Sequence, residues 1–436
     1  MSAPRTLAVV GAGWAGLAAA VAATRAGQRV TLFEAARTLG GRARRVEVAP
    51  AHGGAPLALD NGQHILIGAY SATLGLLREL GVAPDTALLR LPLSLRFADG
   101  GGLALPHWPA PLDLLAGVLG ARGWSWRDKG ALLRTALGWR RRGFRCPSAT
   151  TVADLCAGLS PRVMDELIAP LCVSALNTPL DRASGQVFLR VLHDALFAGR
   201  GGADLLLPRC DLGALLPDAA ARWLAQHGAQ LRSGTRVQAL ARRDGAWQVD
   251  GEAFDRVVLA CPPGEAARLV DGADADTIPE MVDWLRAAEG LEHEPIATVY
   301  AQGALTLAAP MLALRSGPGA PAQFVFDRGQ LGGPAGLLAF VVSADATPRE
   351  SLQQQVLQQA AAQLGANELQ LLQTVVEKRA TFACVAGLRR PGPRIAPGLL
   401  ACGDYIDGPY PATLEGAVRS GYAVSDHEGD GDGDVG

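Results

Sequence analysis

The chain lacks the residue patterns that mark several common classes of protein. No H-E-x-x-H motif, P-loop or Ser-His-Asp order stands out, so the motifs of zinc proteases, P-loop ATPases and serine hydrolases are missing. The cysteines form no C-x-x-C pair and no metal-ligand spacing, which predicts reduced thiols in a cytoplasmic protein and no metal site. The seven cysteines are Cys146, Cys156, Cys172, Cys210, Cys261, Cys384 and Cys402.

Long apolar runs and a large excess of charge of one sign are also missing. No apolar run is long enough to cross a bilayer, and the first predicted strand begins too early to leave room for a signal peptide. The net charge of -2 gives no reason to expect a nucleic acid as partner. At 436 residues, however, the chain is long enough to build two hydrophobic cores.

The sequence does contain a glycine-rich turn between a predicted strand and a predicted helix, close to its start. Residues 7–10 are apolar and lead directly into G-x-G-x-x-G, formed by Gly11, Gly13 and Gly16. The first glycine permits a tight turn, the second lets a pyrophosphate approach, and the third lets helix and strand pack closely. A second predicted strand ends in Glu34, whose carboxylate can accept both ribose hydroxyls. The pattern predicts dinucleotide binding at a helix N-terminus.

A second glycine turn favours a flavin over a nicotinamide cofactor. Gly40, Gly41, Arg42 and Arg44 place a turn and two guanidinium groups just after the ribose-binding acid. Such a loop can bring positive charge and backbone donors to the pyrophosphate from its other side. The alternative interpretation is a surface turn with solvated arginines.

The end of the chain carries a matching pattern. Residues 398–404 read as a strand that reaches Asp404, and residues 410–421 begin a helix. A carboxylate at a strand end can bind a ribityl hydroxyl, and a helix N-terminus can stabilise negative charge on a flavin. Residues 234–240 and 254–263 are predicted to be strands of the same sheet.

Together these motifs resemble the flavin-containing amine oxidase and carotenoid desaturase superfamily. Within it, the chain is most similar to bacterial hydroxysqualene dehydroxylases, also called squalene-associated FAD-dependent desaturases. This narrower resemblance rests on the run D-N-G-Q-H at residues 60–64 and on residues 403–417, and the whole likeness extends over about residues 5–424.

The resemblance implies an α/β protein with a Rossmann-like FAD-binding domain and an interleaved α+β substrate domain. The acidic, glycine-rich tail at residues 426–436 is predicted to be disordered. The expected FAD-binding segments are 1–95, 205–268 and 380–425, and the expected substrate segments are 96–204 and 269–379.

FAD is the implied cofactor, and the residues expected to bind it come from the front, middle and end of the chain. They are Gly11, Gly13, Trp14, Ala15, Gly16, Glu34, Gly40, Gly41, Arg42, Asn61, Gly62, Val237, Gly403, Asp404, Thr413, Leu414, Glu415 and Ala417.

The implied reaction is the reduction of hydroxysqualene to squalene by FADH2, in squalene and hopanoid biosynthesis. The allylic hydroxyl leaves as water, so a nearby acid would speed the reaction by a factor on the order of 10² to 10⁴. His64 is the first candidate acid, the alternative being that it only hydrogen-bonds the flavin or the backbone. Asp60 is a second candidate, or else fixes the bend as an Asx-turn. Tyr410 and Tyr405 are further donors.

Three other functions stay open from the sequence. A polyene desaturase uses the same motifs with hydride transfer in the opposite direction. An amine oxidase is disfavoured, because aromatic residues for a cage beside the flavin are scarce at 5% of the chain. A non-catalytic flavoprotein that holds prenyl intermediates for neighbouring prenyl synthases is the third.

Residues 106–145 differ in composition from the rest of the chain. Tryptophan and leucine stand beside many arginines, as in helices that lie in a lipid headgroup layer. The alternative is a pair of amphipathic helices that cover the substrate cavity, and the two interpretations are compatible. We expect a polyprenoid substrate and a protein that is cytoplasmic and peripheral on the inner membrane.

Overall fold

A six-stranded sheet and a five-stranded sheet organise the chain in the computed structural model. The structure describes residues 4–49, 56–108, 111–196, 199, 201–273 and 279–426.

The strands, in chain order, are β1 (Thr6–Val10), β2 (Arg29–Glu34), β3 (Arg45–Val48), β4 (Leu57–Asp60), β5 (Leu66–Ile67), β6 (Leu88–Leu91), β7 (Ser94–Arg96), β8 (Gly102–Ala104), β9 (Leu205–Pro208), β10 (Gln230–Ser233), β11 (Leu240–Arg243), β12 (Ala246–Val249), β13 (Glu252–Phe254), β14 (Arg256–Leu259), β15 (His293–Gln302), β16 (Met311–Ala313), β17 (Phe324–Asp327), β18 (Leu337–Ser343), β19 (Gln370–Phe382), β20 (Arg394–Ala396) and β21 (Leu399–Ala401).

The α-helices are α1 (Trp14–Arg25), α2 (Ser71–Glu79), α3 (Pro84–Ala87), α4 (Leu112–Gly120), α5 (Trp126–Arg141), α6 (Val152–Leu155), α7 (Pro161–Val163), α8 (Ala169–Leu176), α9 (Gly185–Leu196), α10 (Leu212–Leu215), α11 (Pro217–Gln226), α12 (Pro263–Asp271), α13 (Pro279–Glu289), α14 (Arg349–Leu364) and α15 (Leu414–Asp426). A π-helical turn, Met164–Ile168, joins α7 to α8, and a 3-10 helix, Arg328–Leu331, follows β17.

The six-stranded sheet brings together strands from the front, middle and end of the chain. Its order is β10-β2-β1-β14-β21-β20, parallel from β10 to β21, with β20 antiparallel at one edge. A parallel sheet buried on both faces requires continuous apolar strands, and β1, β2 and β14 are almost wholly buried. This confirms the predicted α/β, Rossmann-like class.

Helix α1 lies against this sheet and is covered by α15. The alanine-rich sequence from Trp14 to Ala23 favours a helix and is buried on all sides. The helices approach closely, since a Cβ on Gly421 of α15 would lie 2.3 Å from the Ala15 carbonyl oxygen. The first and last helices of the described chain therefore form one layer.

The five-stranded sheet is antiparallel, in the order β16-β17-β18-β15-β19. One set of its side chains packs against α14, which includes Val356 and Ala360. The alternating set, which includes Tyr300, Phe324 and Phe326, joins the same hydrophobic core as α4, α5 and α9.

The prediction of a strand over residues 234–240 is wrong. Strand β10 ends at Ser233 and β11 begins at Leu240. The amides of Gln238 and Ala239 instead donate to Oδ1 of Asp250, both at 2.9 Å, so no neighbouring strand receives them.

Two of the predicted domain boundaries fall inside strands. The boundary between residues 95 and 96 cuts β7, and the boundary between residues 379 and 380 cuts β19. Most of the predicted disordered tail, residues 427–436, lies outside the described residues, and Asp426 ends α15.

None of the helices in the described part of the chain combines the length and the apolar character that spanning a bilayer requires.

Candidate active site

The first glycine turn leaves open space beside only one of its three glycines. A Cβ on Gly11, whose φ is +112°, would lie 2.6 Å from the Ala260 oxygen, and a Cβ on Gly16 would lie 1.9 Å from the Gly11 oxygen. A Cβ on Gly13 would meet only the Gly41 Cα, at 3.9 Å. Gly11 and Gly16 thus allow close packing, while Gly13, at the N-terminus of α1, faces room for a ligand.

Glu34 ends β2 beside this turn. Its carboxylate accepts hydrogen bonds from the amides of Ala12 at 2.7 Å and Ala36 at 2.8 Å. The amide of Thr235 donates to the Glu34 carbonyl at 2.8 Å, which brings the buried Val237 loop to the same end of the sheet. Parallel strands place their carboxyl ends together, and ligands of such sheets bind there.

The second glycine turn packs directly on the first. The Gly40 amide donates to the Ala12 carbonyl at 2.8 Å, and Gly40 forms a bridge with Gly13. The indole Nε1 of Trp14 donates to the Ala43 carbonyl at 3.0 Å, which ties the start of α1 to the same loop. Backbone from two loops therefore surrounds the space next to Gly13.

Arg42 joins this loop to the end of the chain. Its guanidinium forms an ion pair with Asp404, which follows β21, and donates to the Ala380 carbonyl at 2.7 Å. Burial opposes the charge of Arg42, but the Asp404 carboxylate outweighs it and raises the pKa of the guanidinium. Arg44, in contrast, turns back and donates to the Gly41 carbonyl.

The polar bend after β4 lies beside Arg42. The Asn61 side chain accepts a hydrogen bond from the Arg44 amide at 3.0 Å, which fixes the bend and exposes the Gly62 carbonyl to His64. His64 Nδ1 lies 2.7 Å from that carbonyl and must donate, because a carbonyl can only accept. Burial lowers the pKa of His64, and the nearby Arg42 charge adds to the effect. The imidazole is thus neutral at neutral pH.

Asp60 lies behind the bend in a buried polar cluster. Its Oδ1 accepts from the Leu212 amide at 2.7 Å, and Oδ2 lies 3.8 Å from the Arg328 guanidinium. The Tyr300 hydroxyl donates to the Asp60 carbonyl at 2.9 Å. Burial raises the pKa of Asp60 to about 6, although the Leu212 amide and Arg328 oppose the shift.

Arg328 is a residue that sequence reasoning missed. It is buried in the 3-10 helix after β17 and donates to Oε1 of Gln63 at 3.2 Å as well as approaching Asp60. Its partners are more than two hundred residues away in the chain, so no local pattern indicates them.

The loop before α15 supplies the remaining predicted residues. The Thr413 hydroxyl accepts from the Gly416 amide at 3.0 Å and caps α15, with Leu414 as the first helical residue. Gly403 precedes Asp404, and its amide donates to the Ser420 hydroxyl at 2.9 Å. Ala417 is buried on the second turn of α15.

The side chain of Glu415 points away from this site. Its buried carboxylate accepts from the amides of Ala72 and Thr73 at the start of α2 and pairs with Arg419 at 2.7 Å. The Glu415 side chain is therefore not available to FAD, and only a contact between its backbone and FAD stays a prediction.

Tyr410 lies between two arginines and an acid. Its ring is 5.7 Å from Arg190 of α9 and 4.9 Å from Arg419, and its hydroxyl faces the Asp194 carboxylate. Burial and the Asp194 carboxylate raise the pKa of Tyr410, so the phenol keeps its proton at neutral pH. Tyr405 is fully buried, and its hydroxyl has no hydrogen-bond partner among the described residues.

An apolar cavity of about 50 Å³ lies on the other side of α9. The side chains that line it are apolar or aromatic, and they come from the β7–β8 hairpin and its flanks, α4, α5 and the turn after it, the π-helical turn, α8 and α9. The α9 side chains that reach it are Leu192 and Leu196, from the helix whose Arg190 and Asp194 contact Tyr410. Helix α9 thus connects an apolar space with the loop before α15.

The residues brought together fit FAD. Open space beside Gly13, two facing glycine turns and the Glu34 carboxylate suit a pyrophosphate and an adenosine ribose. Arg42 and Asp404 supply a cation and a ribityl acceptor at the other end of the same edge. The described residues contain no group of His, Cys, Asp and Glu arranged to hold a metal ion.

Comparison with known proteins gives consistent results. The family model described as flavin containing amine oxidoreductase matches residues 14–427. Hydroxysqualene dehydroxylase from Rhodopseudomonas palustris is 30% identical over 97% of this chain and 98% of its own length. The enzyme of the same name from Sinorhizobium fredii is 26% identical over 97% and 98%.

A solved structure of an oxidoreductase from Methanosarcina mazei has a TM-score of 0.70 at 17% identity, covering 96% of this chain and 99% of that one. This similarity confirms the fold. Because the family model spans nearly the whole chain, the chain belongs to the flavin containing amine oxidoreductase family and is an FAD-dependent oxidoreductase.

Proposed function

We propose that the protein reduces hydroxysqualene to squalene. The observation that carries this proposal is the similarity, over almost the full length of both chains, to relatives named hydroxysqualene dehydroxylase. The cavity beside α9, at about 50 Å³, has room for only a small part of a polyprenoid, but its apolar side chains suit a hydrocarbon and offer no partner to a charged substrate.

In this reaction the C–O bond of the allylic alcohol breaks, the oxygen leaves as water with one added proton, and a hydride completes a new C–H bond. Reduced FAD supplies the hydride when it is bound. The chain must hold the cofactor, exclude bulk water and present a hydrogen-bond donor to the departing hydroxyl.

Tyr410 fits the role of that donor better than His64, provided that its hydroxyl turns from Asp194 to the substrate. The raised pKa keeps the Tyr410 phenol protonated, whereas the lowered pKa of His64 opposes the imidazolium that an acid would require. His64 in this proposal is a neutral group that holds the Gly62 bend. Asp60 is committed to Leu212 and Arg328 and shapes the bend from behind.

In the proposed domain organisation, each of the two sheets belongs to a different part of the protein. The parallel sheet with α1 and α15 forms an FAD-binding part, and the five-stranded sheet with α4, α5, α8 and α9 forms a substrate part. The strand pairing favours junctions before β7 and after β19 over the positions first expected.

The direction of hydride transfer is tested by anaerobic mixing. Photoreduced holoenzyme mixed with hydroxysqualene should regain the absorbance of oxidised flavin and yield one squalene per flavin. Reduction of oxidised enzyme by squalene or a polyene would instead identify a desaturase, and reduction by an amine would identify an amine oxidase. No redox change with any of the three would leave only a holding role.

We further propose that the protein works on the surface of the inner membrane, beside the prenyl synthases that make its substrate. A C30 polyprenoid is almost insoluble in water, so transfer between neighbouring enzymes along a bilayer avoids an aqueous step. Turnover should therefore rise when substrate and enzyme share vesicles, and rise again when a polyprenyl synthase produces the substrate in place.

A further inference from the structure

Exposed apolar side chains are concentrated in one part of the molecule. Nine large apolar side chains are exposed in the described part of the chain, and six of them fall between residues 108 and 137. These six are Trp108, Leu112, Leu115, Leu119, Trp126 and Leu137.

Five of the six lie on or directly beside α4 in the chain, and we call them the α4 stripe: Trp108, Leu112, Leu115, Leu119 and Trp126. The three leucines are spaced by three and four residues, so they share one face of α4. Trp126, 76% exposed, begins α5 directly beside the end of α4. Lys129 connects the two helices, since its Nζ donates to the Leu119 carbonyl at 2.6 Å and lies 5.1 Å from the Trp126 ring.

Another face of α4 lines the apolar cavity. Leu114 and Val118 reach the cavity together with Leu132 and Trp139 of α5. The indole Nε1 of Trp139 is buried there without a hydrogen-bond partner among the described residues. Helix α4 is thus a wall one helix thick, with the α4 stripe outside and the cavity inside.

The chain segment that carries the α4 stripe and α5 is strongly basic, although the whole chain has a net charge of -2. Seven arginines between residues 122 and 145 are exposed, against two acids, Asp113 and Asp128, that are only partly exposed. The exposed arginines are Arg122, Arg127, Arg134, Arg140, Arg141, Arg142 and Arg145.

A basic rim around an apolar stripe with two tryptophans matches an anionic bilayer, where tryptophan favours the interface and arginine binds headgroup phosphates. It does not match a second copy of the chain, because the same seven positive charges would face each other.

We propose that the α4 stripe inserts into the surface of an anionic lipid bilayer, with the arginines of α5 and the following turn at the headgroups. Helix α4 then lies between the acyl chains and the apolar cavity, so that an apolar substrate that moves past this one helix would not cross water. The docking surface stands on its own, whereas the nature of the molecule that passes rests on the proposed function.

The test uses FAD-loaded protein and substrate-free vesicles, either of phosphatidylcholine alone or with one third phosphatidylglycerol. The variant Leu112→Ser/Leu115→Ser/Leu119→Ser should bind the anionic vesicles at least about tenfold more weakly, because three exposed leucines no longer enter the lipid. The matched control, Leu231→Ser/Leu371→Ser, removes two exposed leucines elsewhere and should bind as wild type.

Two further readouts make the result specific. Brominated lipid should quench wild-type tryptophan fluorescence, and Trp126→Phe should lose a measurable part of that quenching. Arg134→Glu/Arg141→Glu should bind anionic vesicles no better than phosphatidylcholine vesicles. Each variant must keep its flavin absorbance, which reports that the fold is intact.

Unchanged vesicle binding by the triple-leucine variant would overturn the proposal. A wild-type dimer in solution that the same variant dissociates would also overturn it, by making the α4 stripe an interface between copies. A failure of the proposed function would give a different result. The protein would still bind vesicles, but detergent-solubilised hydroxysqualene would not reoxidise its flavin.

Discussion

At the scale of single residues, burial decides what the candidate catalytic groups can do. His64, Asp60 and Tyr410 all lie where desolvation opposes their charged forms. His64 and Tyr410 therefore stay neutral at neutral pH, whereas Asp60, with a pKa of about 6, is largely ionised there. The neutral Tyr410 hydroxyl is the hydrogen-bond donor at the loop before α15. This arrangement suits a substrate whose only polar group is a hydroxyl.

Substitutions at His64 and Tyr410 separate positioning from proton donation. His64→Asn keeps an N–H that can donate to the Gly62 carbonyl, so we expect its turnover to stay within about tenfold of wild type. Loss of a general acid would instead lower turnover by a factor on the order of 10² to 10⁴. Tyr410→Phe should lose more than His64→Asn. Single-turnover flavin reoxidation measures both, and a larger loss in His64→Asn would contradict the assignment.

Asp60 makes the stability of the protein depend on pH. Its pKa of about 6 in the folded protein is above the value of 3.8 expected when unfolded. The Asp60 carboxyl therefore makes its full contribution to the free energy of unfolding below about pH 4. This contribution is lost as the pH rises through 6, which lowers the free energy of unfolding by about 3 kcal/mol at most. Asp60→Asn should lack this loss, so unfolding midpoints of the two proteins should differ by an amount that changes between pH 4 and 7.

The control for that measurement is Asp283→Asn, at an acid whose side chain is largely exposed. Asp283 forms an exposed ion pair with Arg286, and such pairs contribute little, so its loss should change the unfolding midpoint far less than Asp60→Asn does. Parallel curves for Asp60→Asn and wild type would contradict the buried-carboxyl account.

At the scale of elements, the contact of α1 with α15 allows no larger residue at one position. A Cβ on Gly421 would lie 2.3 Å from the Ala15 oxygen and 2.9 Å from the Ala18 Cβ. We expect Gly421→Ala to reduce the free energy of unfolding by about 1–3 kcal/mol, because the helices must move apart. Chemical denaturation of the holoenzyme measures the change.

The same substitution at Gly130 of α5 should have the opposite sign. A Cβ there meets nothing within 4 Å, so Gly130→Ala should increase the free energy of unfolding by up to about 1 kcal/mol through helix propensity alone. Equal effects at the two glycines would show that packing between α1 and α15 is not the cause.

Elements fixed by local sequence could be predicted, and those fixed by distant side chains could not. The segment from β1 through α1 to Glu34 forms as expected, because its apolar pattern and glycines act within thirty residues. Residues 234–240 also alternate suitably for a strand, yet the Asp250 carboxylate takes two of their amides. The role of Arg328 could not be predicted from the sequence, because it meets Asp60 and Gln63 only in the folded chain.

At the scale of the whole molecule, the proposed cofactor site joins the front of the chain to its end. Gly13 and Glu34 belong to the first elements, while Asp404 follows the last strand. A ligand that contacts all of them stabilises the folded state, by about 2.7 kcal/mol when its concentration is a hundred times its Kd. Removal of FAD should therefore lower the unfolding midpoint, and added FAD should restore it.

Gly13→Ala tests this coupling without disturbing the protein itself. Its Cβ has room in the fold but occupies the space beside the glycine turns, so the apoprotein should unfold at the wild-type temperature while FAD binds at least about tenfold more weakly. Gly16→Ala, with a Cβ 1.9 Å from the Gly11 oxygen, should destabilise the apoprotein. Unchanged FAD affinity in Gly13→Ala would contradict the assigned site.

The packing of α15 on α1 also constrains biosynthesis. The Arg256 guanidinium donates to the Val424 carbonyl at 3.0 Å, and Arg256 pairs in register with Leu7 of β1. While the ribosome is still translating the middle of the message, the face of α1 that packs on α15 has no cover, since α15 lies far downstream in the chain. A nascent chain stalled before residue 414 therefore presents that face of α1 to chaperones and proteases.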